Sequence, residues 1–136
     1  MTVLAQDLRT LITGTTTISS LISTRCHYNH LPQQSAYPHV WFRVTGDPED
    51  LTMDGVGGLH GPATVDLECA STSPTVANNL ADAVKTKLHG FKGTMGNATA
   101  AAVFVDDKDD DYIPFSNESD EGVTVISYGL RIWYST

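Results

Sequence analysis

The sequence predicts an α+β fold in which a mostly antiparallel four-stranded sheet has helices packed on one face, in the order α(α)ββαββ. Two observations support this prediction. Apolar residues recur at helical spacing in the regions 4–22 and 74–88, and they alternate with polar residues in strand-like regions. A chain of 136 residues is long enough for one core and too short for two. We therefore expect residues 1–136 to form a single domain.

The helices are predicted from apolar spacing and capping residues. The first runs from a candidate N-cap at Thr2 to Gly14, and a short second helix is expected within residues 15–23. The clearest helix lies in STSPTVANNLADAVKTKLHG, with Ser73 as its cap and Gly90 at its end. Its buried stripe is predicted to consist of Val76, Leu80, Val84 and Leu88.

The strands are predicted from alternation of apolar and polar residues. HVWFRV (39–44) and ATVDLECA (63–70) indicate a hairpin with a long, acidic, glycine-rich tip at 45–62. A third strand is expected at 100–105 and a fourth in GVTVISYGLRIWYS, while residues 26–28 are a candidate for a further short strand. The buried face of the last strand is predicted to consist of Ile126, Tyr128, Leu130, Ile132 and Tyr134.

Most acidic residues lie in two segments of the chain. The net charge is −8, and of the 16 acidic residues four lie between positions 47 and 54 and eight between 106 and 121. The rest of the chain is mildly basic but shows no basic stripe, which disfavours a DNA-binding face. The longest apolar run, AAAVFV, is too short to cross a membrane. The N-terminal residues do not form a signal-peptide pattern, so we expect a cytoplasmic protein with reduced cysteines.

The segment VFVDDKDDDYIPF (103–115) raises the question of metal-dependent chemistry. Consecutive aspartates on one extended segment point to opposite faces, so few of them can meet one ion, and the EF-hand pattern is absent. We interpret the segment as a solvated acidic turn. A metal-dependent hydrolase using Asp106 to Asp111 and weak cation binding by several assembled copies remain alternatives.

Other candidate sites have weaker support. LHGFKGTMG (88–96) follows a helix, whereas phosphate-binding glycine loops precede one, so we interpret it as a helix C-cap. A zinc site is disfavoured because no paired spacing fixes a geometry for the candidate ligands. Those ligands are Cys26, His27, His30, His39 and Cys69. The sequence thus predicts no catalytic residues, no metal site and no cofactor.

The strand face opposite the buried side carries both tryptophans of the chain beside arginines and a glycine. Tryptophan and arginine are enriched at interface hot spots, and glycine lets another backbone approach closely. A solvated face with cross-strand ion pairs is the alternative. The residues predicted to form a subunit interface are Trp41, Arg43, Asp66, Glu68, Gly129, Arg131 and Trp133.

Three stretches, YPHVWFRVTGDPEDLTMDG (37–55), VDLECASTSPTVANNLADAVKTKLHGFKGTMG (65–96) and YGLRIWY (128–134), resemble one known family. It is the tail completion, or tail terminator, family of long-tailed bacteriophages and related phage-like particles. The motifs occur in the family's order over nearly the whole chain. Two departures concern loops: residues 61–63 stand where relatives often have a basic residue, and SNESDEG (116–122) is more acidic than expected.

The resemblance implies an α+β subunit that assembles into a ring, expected to be a hexamer, at the head-proximal end of the tail tube. Such a ring ends tube polymerisation and provides the surface for head attachment, so the chain is not expected to be an enzyme. The implied partners are further copies of the chain, the tail tube protein and a head-completion or stopper protein. DNA passes through without specific binding, and no membrane is involved. The implied location is the neck of the virion tail, after assembly in the host cytoplasm.

The acidic segments then become candidates for lining the ring's lumen or contacting the tube. These residues are Asp47, Glu49, Asp50, Asp54, Asp106, Asp107, Asp109, Asp110 and Asp111. Another neck component, such as a head-completion or connector protein, is the alternative within the same biology.

Overall fold

The computed structural model describes residues 3–30, 36–46, 60–113 and 122–135. In these ranges the chain forms three helices and six strands. In chain order they are α1 (Val3–Thr13), α2 (Thr16–Ile22), β1 (Cys26–Tyr28), β2 (His39–Gly46), β3 (His60–Ser71), α3 (Pro74–Leu88), β4 (Gly93–Met95), β5 (Ala98–Ile113) and β6 (Val123–Ser135).

The strands form one mixed sheet with the order β1-β2-β3-β6-β5-β4. β1 pairs with β2 in parallel, and every other neighbouring pair is antiparallel. The predicted mostly antiparallel sheet of four strands is therefore wrong, because the sheet has six strands and is mixed. The candidate short strand at 26–28 is confirmed as β1, whereas β4 was not predicted. Both have 3 residues, too few to show a clear alternation.

One hydrophobic cluster joins the helices to one face of the sheet. Side chains from α1, α2 and α3 are buried together with Phe42, Leu67 and Ile132 from the central strands. The predicted buried face of β6 is confirmed, since all its members are buried. The predicted α3 and its serine cap are also confirmed, since Val76 N donates to the Ser73 hydroxyl at 3.4 Å. Of its predicted stripe, Leu80, Val84 and Leu88 are buried, whereas Val76 is only half-buried. No helix in the described ranges is long and apolar enough to span a membrane.

The hairpin of β2 and β3 is confirmed, with Trp41 opposite Glu68 and Arg43 opposite Asp66. The candidate cap Thr2 and most of the acidic hairpin tip lie outside the described residues. The predicted tip residues outside them are Asp47, Glu49, Asp50 and Asp54.

The polyaspartate segment lies within β5, so the predicted acidic turn after Val105 is wrong. β5 pairs with β6 as far as Ile113, which lies opposite Val123. Aspartate has a low propensity for strands. These aspartates nevertheless form one because the long β6 pairs with them, and their side chains remain largely in solvent at the margin of the sheet. The register shifts between Asp106 and Lys108, and Asp107 has a φ of 40°. A bulge at this point therefore accommodates one extra residue.

A buried carboxylate connects α1 to the turn between β4 and β5. Asp7 is only 3% exposed, and its Oδ1 accepts a hydrogen bond from Asn97 N at 3.0 Å. Gly96, with a φ of 60°, approaches so closely that an added Cβ would lie 2.4 Å from the same oxygen. The turn therefore requires glycine for its backbone conformation and for the space that Asp7 occupies.

Candidate assembly surface

The sheet face opposite the helix-packed side carries every residue predicted at the subunit interface. Cross-strand register puts Asp66 between Arg43 on β2 and Gly129 on β6, and Glu68 between Trp41 and Ser127. Within β6, the interface residues alternate with the buried ones. We call this set the outer face: Trp41, Arg43, Asp66, Glu68, Gly129, Arg131 and Trp133.

An aromatic and cationic cluster occupies one end of the outer face. The Arg131 guanidinium carbon lies 5.5 Å from the ring centroid of Phe104 and 5.7 Å from that of Trp133. The two rings meet edge to face at 5.6 Å. Arg131 Nε also donates to Asp106 Oδ2 at 2.5 Å, and a second guanidinium nitrogen lies 3.3 Å from Asp106 Oδ1. The forked ion pair and the two rings hold the guanidinium in one orientation while it stays exposed.

A groove of about 370 Å³ runs along the centre of the outer face. Its lining residues come from β2, β3, β5 and β6 and are Trp41, Arg43, Asp66, Glu68, Asp107, Asp109, Ser127, Tyr128 and Gly129. The groove is open and carries more carboxylates than bases. It is therefore suited to another surface that inserts a side chain or backbone segment, especially one that carries positive charge.

Gly129 is not required by packing within the chain. A Cβ added at this position would meet its nearest atom, the Asp106 carbonyl oxygen, at 3.9 Å, which is an ordinary contact. A glycine in a strand interior weakens the strand, because it loses more backbone entropy and offers no side chain for packing. Its presence in the lining of the groove is consistent with close approach by another chain.

Part of the outer face also fits the alternative of a solvated surface with cross-strand ion pairs. Arg43 lies 3.3 Å from Asp66, and both side chains are more than half exposed. Trp41 donates its indole N–H to the Asn29 carbonyl at 2.8 Å, so this side chain is fixed locally. Exposed pairs of this kind contribute about 0–1 kcal/mol to folding. The charged residues of this face therefore add little to the stability of the fold.

The electrostatics of Glu68 lead to a test of the groove. Partial burial raises the pKa of Glu68, repulsion from Asp66 raises it further, and attraction by Arg43 partly offsets both effects. Because the folded-state pKa lies above the unfolded one, ionised Glu68 costs stability as pH rises through these values. We expect Glu68→Gln to raise the free energy of unfolding at pH 7, by no more than the range of about 0–1 kcal/mol that is typical of exposed charge interactions.

Urea unfolding at fixed protein concentration measures this effect. The difference should disappear below the unfolded-state pKa, where Glu68 of the wild type is itself neutral. Asp66→Asn is the companion variant: it removes the ion pair with Arg43 but also the repulsion on Glu68, so these opposing effects should leave a smaller net change than Glu68→Gln. A Glu68→Gln protein less stable than the wild type at pH 7 would contradict this account of the groove.

Phe104 belongs to the cluster but was absent from the predicted interface. It is 40% exposed and lies on β5 opposite Arg131. The alternation in AVFVD puts Phe104 on the face opposite Val103 and Val105, so its position on the outer face could have been predicted from the sequence. The contact between Asp106 and Arg131 was not predictable in the same way, because it depends on the register of β5 against β6.

His27 and His39, two of the residues considered for a metal site, meet edge to face at 5.8 Å. Among the described residues, no group of three or more His, Cys, Asp or Glu side chains could hold a metal ion. Cys26 and Cys69 are both buried free thiols. Burial raises the pKa of Cys26 to about 12 and raises that of Cys69 as well, so both remain protonated at neutral pH. Gly90, in the segment considered as a phosphate loop, follows the C-cap residue His89 of α3 and has a φ of 77°.

The chain is thus a small mixed-sheet protein with a helix-covered core and an aromatic, charged outer face. No family model matches it, and no curated protein matches it. Among solved structures it is similar to a chain in the virion of a native gene transfer agent particle, with a TM-score of 0.56 and 14% sequence identity. The similarity covers 98% of this chain and 92% of that chain. At this identity, the similarity concerns the fold.

Proposed function

We propose that this protein is a structural subunit of a phage-like particle, and that it forms a ring on the head-proximal end of the tail tube. In this role it ends polymerisation of the tube and provides the surface to which the filled head attaches. The proposal includes a location in the neck of the particle and a ring of six copies. Its partners would be the tail tube protein and a head-completion or stopper protein. It needs no catalytic residue and no cofactor.

The observation that carries the proposal is the outer face. It combines Phe104, Arg131 and Trp133 in one ordered cluster beside a groove that Gly129 helps to line. Aromatic and arginine side chains around a close-approach position are typical of protein–protein hot spots. The fold similarity to a virion component and the family resemblance of the sequence support the same class of protein.

A ring requires one patch of each subunit to meet a different patch of the next, since such heterologous contacts close into a cycle. In our proposal the outer face is one of these two patches. The acidic residues then either line the lumen, where they would repel passing DNA, or contact the tube. A ring with both acidic segments on its outer rim would contradict both roles for them.

The tail-length phenotype tests the proposed function. We expect particles lacking this protein to have tails of uncontrolled length, because nothing would end polymerisation of the tube. Electron microscopy of the particles measures the length distribution, and re-expression of the wild-type chain is the control. Tails of normal length without heads would instead identify a head-completion or connector protein and would contradict the terminator role.

A further inference from the structure

We propose that the open edge of β5, residues 106–113, receives an extended segment rich in lysine or arginine from a partner protein, as an additional strand of the sheet. The starting observation is that β4 covers β5 only at residues 98–100. Farther along, Gly90 N donates to Val103 O at 2.8 Å, and Val105 N donates to His89 Nδ1 at 3.1 Å. From Asp106 to Ile113, no described strand pairs with this edge.

The register identifies the backbone groups that a partner strand would meet. The Val103 C=O and the Val105 N–H point away from β6, and this direction alternates from residue to residue along a paired strand. The bulge at Asp107 shifts this alternation by one residue. Beyond it, the backbone N–H and C=O groups of Lys108, Asp110 and Tyr112 are therefore the ones that point away from β6. The Tyr112 N–H donates to Asp111 Oδ1 at 2.8 Å. The N–H and C=O groups of Lys108 and Asp110 thus remain for a partner.

The opposite edge of the sheet is closed. The Cys26 carbonyl of β1 accepts a hydrogen bond from Arg9 Nε at 3.0 Å, and the Tyr28 carbonyl accepts one from His30 N at 2.6 Å. Cys26 N donates to Thr24 O at 2.8 Å. Local groups therefore satisfy the edge of β1, whereas β5 has no equivalent closure beyond Val105 within the described ranges.

The charge of the open edge of β5 indicates which kind of segment would pair with it. Asp107, Asp109, Asp110 and Asp111 are exposed around a single base, Lys108. A second copy pairing through the same strand would put aspartates against aspartates, and nucleic acid would be repelled. A cationic segment gains both backbone hydrogen bonds and charge pairs. The edge also ends in Tyr112 and Ile113, which are 57% and 54% exposed and offer apolar contacts to partner side chains.

This inference does not depend on the proposed ring, because a single copy carries the whole edge. It assigns the aspartates of β5 to protein contact in preference to lining a channel. It also explains the acidic edge in the unbound protein, because charge on an edge strand prevents its pairing with identical copies.

Isothermal titration of the full chain with synthetic peptides tests the proposal. The probe is a capped eight-residue peptide that alternates lysine with valine. One control peptide has the same sequence with alternate backbone amides N-methylated, and a second has glutamate in place of lysine. We expect saturable binding of one lysine peptide per chain, about tenfold or weaker binding after N-methylation, and no binding of the glutamate peptide. Hydrogen exchange should slow at Lys108 and Asp110 when the lysine peptide binds.

Two protein variants complete the test. Asp110→Pro removes an outward N–H without removing a bond to β6, and should weaken binding about tenfold or more. Asp110→Asn removes only a charge and should weaken it severalfold. Equal binding of the N-methylated peptide, equal binding by Asp110→Pro, or no binding of the lysine peptide would overturn the proposal. A change in the oligomeric state of the Asp110→Pro protein in the absence of peptide would also overturn the proposal. If Asp110→Pro does not fold, the N-methylated peptide alone decides.

Discussion

Trp133→Ala should convert the assembled protein into a folded monomer. Trp133 belongs to the aromatic cluster of the outer face, where it contacts Phe104 and Arg131 without being part of the buried core. Truncating a central aromatic side chain of an interface typically costs about 2–4 kcal/mol in binding. In a closed ring every subunit repeats the same contact, so the loss occurs at every interface. Sedimentation should show the variant at monomer mass, with the circular dichroism of the wild type.

Arg131→Ala should have the same outcome, because it removes the cation that contacts both rings and leaves Asp106 unpaired. Arg131→Lys keeps the charge but loses the fork that binds both carboxylate oxygens, so we expect intermediate assembly. Gly129→Ala should fold normally and still weaken assembly, since its methyl group has space within the chain and fills the groove. Lys85→Ala, on an exposed position of α3, is the charge-matched control and should leave assembly unchanged. Intact rings for both Trp133→Ala and Arg131→Ala would refute the interface.

Gly96→Ala should destabilise the monomer more than a substitution at any other described glycine of positive φ. The left-handed conformation costs a non-glycine residue about 1–2 kcal/mol. The new Cβ would also displace Asp7 from its hydrogen bond to Asn97 N, at a further cost of about 1–3 kcal/mol. Urea unfolding should therefore show a loss of about 2–5 kcal/mol in the free energy of unfolding.

Gly90→Ala separates the two contributions to this loss. Gly90 has a φ of 77°, but nothing lies within 4 Å of a Cβ added there. It should therefore lose only the conformational part, about 1–2 kcal/mol. Equal losses for Gly96→Ala and Gly90→Ala would show that the contact with Asp7 has no energetic weight.

Long elements with a regular pattern could be predicted from the sequence. α3 has a capping serine, a proline in its first turn and a glycine after its end, and the buried residues of β6 alternate over 126–134. The outer face followed from the same alternation, because the residues between buried ones on β2, β3 and β6 must lie on the other side. The alternation of apolar and polar residues was thus enough to predict that Trp41, Arg131 and Trp133 lie on one surface.

Features that depend on contacts distant in sequence could not be predicted. β4 is a strand because β5 pairs with it, not because its three residues carry a pattern. Residues 106–113 continue β5 against the low strand propensity of aspartate, because β6 is long enough to pair with them. Asp7 is buried where it accepts a bond from Asn97, a residue 90 positions away. Periodicity contains no information on any of these pairings.

Native mass spectrometry of the purified wild-type chain and of Trp133→Ala tests whether the outer face assembles six copies. We expect a wild-type species at six times the 14.7 kDa mass of one chain, and a Trp133→Ala species at the mass of a single chain. A wild-type protein that remains at 14.7 kDa at every concentration examined would contradict this expectation.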